Sequence, residues 1–314
     1  MTDASASSAA TEPAAATEPA RSTAAPAAAP AKPSLGSRIA GRTAGGALRV
    51  FLLVMALVWL TPTVGLLVSS FRDPADMAES GWWTALTAPS ELTTAAYENL
   101  LGKREITDAL LNSVYITVTS TVMVVVIGAM AGYAFAWMDF KGRDWWFVSV
   151  VALLVVPVQI ALIPLARLFG DIGLFGKTFG VILFHVGFGL PFAVFLLRNF
   201  FAQIPRELME AARLDGAGEV RLFFTVVMPL GGPALASLGI FQFLWVWNDL
   251  LVALTFSDVG SQPLTVALAR QSRAFSQNID TFATGAFLSM IIPLAVFFAF
   301  QRQFVSGVMA GAVK

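Results

Sequence analysis

Six long intervals without a charged side chain constrain this sequence more than any other feature. They cover residues 50–71, 109–138, 145–166, 178–197, 222–248 and 281–301. Each holds at least 20 residues, and a helix needs about 20 apolar residues to cross the hydrocarbon core of a bilayer. Backbone groups in that core are satisfied only in helices or closed barrels, and strand-like alternation is absent. The sequence therefore predicts an all-α membrane protein with six transmembrane helices.

Composition supports this prediction and excludes several classes of protein. Of the 314 residues, 57% are hydrophobic and 13% are charged, whereas soluble domains average about 25% charged residues. The formal net charge is zero, which argues against a nucleic-acid-binding protein. The chain has no cysteine, so it has no disulfide, no thiolate metal site and no cysteine nucleophile.

The first 45 residues are predicted to form a flexible tail, because 14 of the first 35 are Ala and 5 are Pro. Such sequence has too few large apolar side chains to fold. The membrane domain is then 46–302, and 303–314 is a second tail. With both tails in the cytoplasm, the inner segments carry 13 Lys and Arg and the outer loops carry 7. This bias predicts that both termini face the cytoplasm.

The segment between the fourth and fifth predicted spans is charged and punctuated by glycine. Pro205 suits the first turn of a helix, where its missing N–H costs nothing. The helix formers that follow predict a short helix from Arg206 to Leu214. Within it, Arg206–Glu210 and Glu210–Arg213 have the spacing of side-chain pairs.

Gly216 is placed to end this helix in a left-handed conformation, which glycine adopts at little cost. A second helix is predicted over 218–227, closed by Pro229. The whole loop, 201–229, combines charges with small side chains, which let the backbone of a partner approach closely. These features predict a docking surface rather than a catalytic site.

The stretch 210–230, EAARLDGAGEVRLFFTVVMPL, resembles the coupling motif of bacterial importer permeases of the ATP-binding-cassette (ABC) type. Valine and methionine replace the more usual isoleucine and leucine near its end. The resemblance implies that two short helices dock into a cleft on an ATPase subunit. The positions expected to couple to the ATPase are Glu210, Ala211, Ala212, Asp215, Gly216 and Pro229.

The resemblance extends over about residues 45–314. AYENLLGKREITDALLNSVYITVTSTV, GYAFAWMDFKGR and WVWNDLLVAL are similar to carbohydrate-importer permeases of the maltose type, and TPTVGLLVSSFRDPADMAESGWWTAL is similar to α-glucoside permeases. The closing QRQFVSGVMAGAVK resembles the smaller membrane subunit of such pairs. The resemblance implies the type I ABC importer permease fold in a bacterial inner membrane. It also implies a homologous second permease, two ATPase subunits and an extracytoplasmic sugar-binding protein. ATP and Mg²⁺ are then bound by the ATPase subunits, and this chain binds no cofactor or metal and has no catalytic residue.

The patch WVWND near the end of the fifth predicted span supplies the candidate substrate-path residues, which are Trp245, Trp247, Asn248 and Asp249. Indole faces suit sugar rings, while amide and carboxylate groups suit hydroxyls. A charge near membrane depth usually faces a cavity or a partner. The alternative is that Asp249 marks the outer end of the helix, where water satisfies it, and the sequence leaves both interpretations open.

Two other motifs are weaker. His185, the single histidine, could relay protons, but its span contains no acid, which favours a packed or hydrogen-bonded role. GLFGKT at 173–178 is similar to a phosphate-binding loop, but that motif requires glycine at 171, where the chain has Asp171. The sequence therefore predicts that this chain does not bind or hydrolyse ATP.

Two other functions compete with the importer subunit. An ion-coupled secondary transporter of a small polar solute should carry several acids within its spans, and only Asp249 is available. An intramembrane enzyme needs paired acids, a metal cluster or an activated nucleophile, and the charge-free spans exclude most of that chemistry.

Overall fold

The computed structural model describes residues 35–274 and 279–312, which are predominantly helical. The helices α1 to α14 are Leu35–Ser70, Pro74–Glu79, Ala95–Leu101, Arg104–Trp137, Arg143–Ala152, Val158–Asp171, Thr178–Phe201, Arg206–Leu214, Glu219–Leu222, Met228–Leu230, Gly232–Trp247, Leu251–Phe256, Leu264–Ala274 and Ile279–Ala312. Pairing of β type in these ranges is limited to two isolated bridges, Arg72 with Leu92 and Gly176 with Ser257. The all-α prediction is confirmed.

Four described helices are long and apolar enough to cross a membrane, namely Leu48–Ser70, Arg104–Trp137, Thr178–Phe201 and Ala283–Gln301. Two helix pairs, Arg143–Val155 with Val158–Asp171 and Glu219–Leu230 with Gly232–Trp247, pass the same test together. The described residues thus hold up to six spans, in agreement with the prediction. The third and fifth are broken, with bends of 101° and 76°.

The bend in the third span lies at Pro157. Val156 is extended, with φ −73° and ψ 113°, because the ring of a proline disfavours the helical conformation at the preceding residue. Helix α6 then begins at Val158. Pro164 lies inside α6 without breaking it.

The bend in the fifth span follows Pro229. This proline was predicted to close the second short helix, and that prediction is wrong, because α10 continues through Pro229 to Leu230. A π-turn precedes it, in which the Met228 N–H donates to the carbonyl of Phe223, five residues back. The wider turn makes room for a ring that would strain a regular helix. The chain then bends between Leu230 and Gly232.

Helices α4 and α7 pack closely, and two glycines of α4 face α7. A Cβ added at Gly128 would lie 2.7 Å from the Cβ of Ala193, and one at Gly132 would lie 2.9 Å from the Cβ of Leu197. Small residues allow such contact between helix backbones in membranes. Around this contact lies the main cluster of buried apolar side chains.

The boundaries predicted for the two tails differ from the ends of the described helices. The first 34 residues of the predicted tail over 1–45 lie outside the described residues, and α1 already begins at Leu35. Long aliphatic side chains appear from that residue onwards, and they favour a helix. Helix α14 likewise runs to Ala312, beyond residue 302. The chain divides within α1 between Leu57 and Val58, and the packing described here lies after that point.

Candidate functional site

The helix–glycine–helix segment, defined here as α8 and α9 with the turn between them, has the predicted first helix and turn. The second helix, predicted over 218–227, is the short α9, Glu219–Leu222, and a π-turn continues from it to Val227. Helix α8 spans Arg206–Leu214, and Gly216 follows with φ +82°. The Gly216 N–H donates to the carbonyl of Arg213, and the Ala217 N–H donates to that of Ala212, each over 3.0 Å. These two bonds form a Schellman motif, which satisfies the last carbonyls of a helix. The predicted helix end at Gly216 is confirmed.

Buried side chains attach this segment to the spans. Met209 in α8 and Leu222 in α9 are both 0% exposed. Their burial fixes the orientation of both helices and leaves the opposite faces open. The exposed faces contain Glu210, Ala211, Asp215 and Gly216, while Ala212 is half-buried.

Three of the exposed large apolar side chains in this region, two on the segment and one just after α9, were not singled out by sequence reasoning. Leu214 is 89% exposed, Val220 73% and Phe224 63%. Isolated exposed apolar residues are common, but these three lie close together in the sequence, beside exposed charges. The signal available in the sequence was the presence of apolar residues on both sides of the Gly216 turn. This surface can bury apolar area against a partner while charges set the orientation.

A polar link joins the segment to α4. Arg213 donates from Nε and Nη2 to Oε1 of Glu219, over 3.2 and 3.1 Å, and the hydroxyl of Tyr133 donates to Oε2 of the same carboxylate. Tyr133 is buried near the end of α4. The pairs predicted within α8 are wrong, because the Gly216 turn brings Glu219 to Arg213. Glu210 has no ion pair among the described residues.

A charged cavity of about 330 Å³ lies beside α8. Its charged lining consists of Asp139, Arg143, Arg198, Arg206, Glu210 and Arg213. The guanidinium of Arg198 lies over the ring of Phe147, 4.8 Å from its centroid. The side of α8 towards the spans is thus rich in arginine, which favours contact with acidic groups.

The four predicted path residues occupy different environments. Trp247 is 3% exposed, stacks on Phe243 with ring centroids 5.8 Å apart, and donates from Nε1 to the carbonyl of Ser289 over 2.9 Å. It therefore packs α11 against α14. Asn248 is exposed and donates to the carbonyl of Leu244. Trp245 is 38% exposed, which leaves part of its ring open to a ligand.

Asp249 caps a helix and faces the single histidine. Its carboxylate accepts from the backbone N–H groups of Val252 and Ala253, over 3.3 and 2.9 Å, at the start of α12. Its Oδ2 lies 3.6 Å from Nε2 of His185, beyond a direct hydrogen bond. A cavity of about 10 Å³ borders both side chains, close to the smallest space that holds one water. Sequence reasoning missed this pair because the two residues lie on separate helices.

The imidazole of His185 is fixed from two sides. Its Nδ1 lies 2.9 Å from the carbonyl of Val181, and since a carbonyl only accepts, Nδ1 carries the proton. The ring meets that of Trp245 at 74°, with centroids 5.2 Å apart. The hydrogen-bonded role predicted for this histidine agrees with these contacts.

The fold and the exposed segment define a class, that of helical membrane proteins with several spans and a short helix pair presented between two of them. Within this class, the chain belongs to the family of binding-protein-dependent transport system inner membrane components, and the model of that family matches residues 105–309. The chain is therefore a multi-pass membrane transport protein.

The relatives that cover most of the chain include two transport permeases. The osmoprotective compounds uptake permease protein GgtD of Synechocystis sp. is 44% identical, over 85% of this chain and 91% of the relative. The α-glucoside transport system permease protein AglG of Rhizobium meliloti is 35% identical, over 85% of this chain and 97% of the relative.

Solved structures share the fold. A bacterial ABC transporter involved in the import of the acidic polysaccharide alginate contains a chain that matches with a TM-score of 0.67 at 23% identity, covering 87% of this chain and 99% of that one. A chain of the MetNI methionine ABC transporter matches with a TM-score of 0.51, over 64% of this chain and 95% of that one. The predicted type I importer permease fold is confirmed.

Proposed function

We propose that this chain is one membrane half of an ATP-driven importer for α-glucosides or related oligosaccharides, supplied by an extracytoplasmic binding protein. The observation that carries the proposal is the helix–glycine–helix segment. Its Schellman turn and exposed Glu210 suit docking to a motor subunit, and the link through Tyr133 suits transmission of force to a span.

In this proposal both termini face the cytoplasm of a bacterial cell, so that the segment faces the cytoplasmic ATPase subunits. Two such subunits bind ATP and Mg²⁺ and hydrolyse the nucleotide, while this chain binds no cofactor or metal and carries no catalytic residue. A homologous second permease completes the path. Closure of the ATPase pair on ATP pushes the two coupling segments together and opens the path outwards, and hydrolysis reverses the motion.

The substrate class rests on the relatives. AglG is a permease of an α-glucoside transport system, and AraQ of Halalkalibacterium halodurans, 33% identical, is a permease for arabinooligosaccharides. GgtD belongs to uptake of osmoprotective compounds. α-Glucosides and arabinooligosaccharides are polyhydroxylated and present ring faces, and we expect a solute of this kind for the present chain.

The competing function, an ion-coupled transporter, would use Asp249 to bind the ion. In the structure, two backbone N–H groups already bind this carboxylate, and the residue acts as a helix cap. Membership of the family of binding-protein-dependent transport components also supports an ATP-driven importer rather than an ion-coupled transporter.

The proposal is tested by reconstituting the chain with its second permease and its ATPase subunits in liposomes. We expect uptake of radiolabelled maltose or trehalose to require the sugar-loaded binding protein and internal ATP, and to continue when ionophores dissipate the proton and sodium gradients. Uptake that stops with the ionophores and continues without ATP would contradict the proposal.

A further inference from the structure

A cavity of about 280 Å³ lies between α7 and α11. Four of its side chains are aromatic and one is an amide. The lining consists of Phe188, Gly189, Phe192, Phe241, Gln242 and Trp245. We call it the aromatic cavity.

Gln242 is the polar group of this cavity. Its side chain is 4% exposed, and its Nε2 has no hydrogen-bond partner among the described residues. A buried donor without a partner costs about 1–3 kcal/mol, and the residue lies in the middle of α11, a span that is otherwise largely apolar. Neither a lipid chain nor an apolar helix would satisfy this donor, so a polar occupant fits the cavity better.

Space for the amide is provided by Gly189 on α7. A Cβ at this position would lie 2.7 Å from Oε1 and 2.8 Å from Nε2 of Gln242. The absence of a side chain at residue 189 therefore lets the amide lie against α7 at the edge of the cavity.

The aromatic side chains of the cavity have ring faces that an occupant can contact. The rings of Phe192 and Phe241 lie at 81° to each other, with centroids 6.4 Å apart. Trp245, which is 38% exposed, is held by the edge contact with His185. Such faces pack against the C–H groups of a sugar ring, while a buried amide bonds a hydroxyl.

A second cavity nearby shows the contrast. It has a volume of about 350 Å³, and the described side chains that line it are apolar, including Leu153, Leu165 and Leu183. This lining suits lipid chains or an apolar partner helix. The aromatic cavity differs because it contains Gln242.

We propose that the aromatic cavity binds one sugar ring of the substrate during transport, with the buried amide of Gln242 turning into the cavity to donate a hydrogen bond to a ring hydroxyl and Trp245 packing on the ring face. This inference rests on the proposed function. The volume is close to the lower end of the roughly 300–1,000 Å³ usual for small-molecule sites, which suits a single monosaccharide unit. The path therefore runs along α7 and α11 at the level of Gln242 and Trp245, and Trp247 lies outside it.

The test uses the assembled importer in liposomes and the substitution Gln242→Leu, which keeps the size of the side chain but removes the amide. Binding protein saturated with maltose is supplied, and uptake is measured beside ATP hydrolysis. We expect uptake per ATP to fall about tenfold, because one hydrogen bond to the sugar is lost. Assembly and the stimulation of ATP hydrolysis by the binding protein should be unchanged. The matched control is Leu165→Ala in the apolar cavity, which should leave uptake per ATP unchanged.

Monodeoxy analogues of maltose add a readout that a structural role would not change. Their affinity for the binding protein is measured separately, and each is supplied at saturation. The wild-type importer should transport one analogue poorly, and the Gln242→Leu importer should no longer distinguish that analogue from maltose, because each change removes the same bond. Trp245→Ala should reduce uptake of all of them alike.

Two results would overturn the inference while leaving the proposed function intact. In one, Gln242→Leu transports maltose and every deoxy analogue as the wild type does, which means that lipid or a partner helix fills the cavity. In the other, Gln242→Leu loses assembly or stimulated ATP hydrolysis, which means that the amide is structural. Failure of the wild-type chain to assemble with ATPase subunits would refute the proposed function itself.

Discussion

Replacing Gly216 with serine isolates the left-handed turn between α8 and α9. Gly216 has φ +82°, and a Cβ there would meet no atom within 4 Å. The substitution therefore introduces no clash inside the chain, and its effect on the turn comes from the backbone alone. An L-residue in this conformation costs about 1–2 kcal/mol.

Two residues along, Gly218 provides the matched control. Its φ of −73° and ψ of 167° are open to any residue, and a Cβ there also meets no atom within 4 Å. It occupies the N-cap of α9, where serine is at least as favourable as glycine. Gly218→Ser therefore adds the same side chain to the same loop without strain.

The cost at Gly216 corresponds to a roughly 5- to 30-fold loss of the native turn relative to alternatives. If docking requires this turn, an affinity-tagged Gly216→Ser chain should retain correspondingly less ATPase subunit on purification, and uptake should fall with it. Gly218→Ser should retain the wild-type amount. Gly216→Asn should lie between them, because asparagine tolerates the left-handed region better than other residues do.

The amount of chain in the membrane, measured by immunoblot, separates a docking defect from failed insertion. Equal retention of ATPase subunit by Gly216→Ser and Gly218→Ser would refute the reasoning, since it would mean that docking does not depend on the conformation at Gly216.

Two further changes test the contacts of α4. Tyr133→Phe removes the hydrogen bond to Glu219, so sugar uptake per ATP should fall several-fold. The control Tyr115→Phe, at a 57% exposed position of the same helix, should not alter that ratio. Equal ratios in the two variants would count against the link between Tyr133 and Glu219. At Gly132 even a Cβ would lie 2.9 Å from the Cβ of Leu197, so Gly132→Val should lower the free energy of unfolding by about 1–3 kcal/mol. This loss is read as a lower unfolding temperature in detergent. Gly187→Val, where a Cβ meets nothing within 4 Å, is the control, and identical unfolding temperatures would contradict the close contact of α4 with α7.

The spans and the turn could be predicted from the sequence because local rules determine them. Charge-free intervals locate the spans, and a glycine that follows nine helix formers ends a helix. The bends could not be predicted. Pro191 and Pro293 lie inside continuous helices, whereas the chain breaks at Pro157, and the sequence around each proline does not distinguish the two outcomes.

Contacts between residues that are distant in the sequence could not be predicted either. Glu219 forms an ion pair with Arg213, whose sequence spacing favoured a partner within α8. This pair depends on the direction in which the Gly216 turn places α9. His185 faces Asp249 only because α7 packs beside the end of α11. The aromatic residues of the fifth span could be listed from the sequence, but the burial of Trp247 and the exposure of Trp245 follow from which face of α11 meets α14.

Helix α9 of the helix–glycine–helix segment and the α11 side of the aromatic cavity lie on consecutive parts of one bent span. Glu219 begins this stretch, the bend at Gly231 interrupts it, and α11 carries Gln242 beyond the bend. A Cβ at Gly231 would lie 2.5 Å from the ring of Phe201, so the bend is packed directly against the end of α7. Gln242 lies about 15 Å along α11 from the bend at 1.5 Å per residue, and a rotation of about 10° there would displace it by about 2.6 Å, close to the length of a hydrogen bond. If the helix–glycine–helix segment docks to a motor subunit and the aromatic cavity binds a sugar, as proposed, a small tilt driven from that segment is therefore enough to make or break the contact between Gln242 and the sugar.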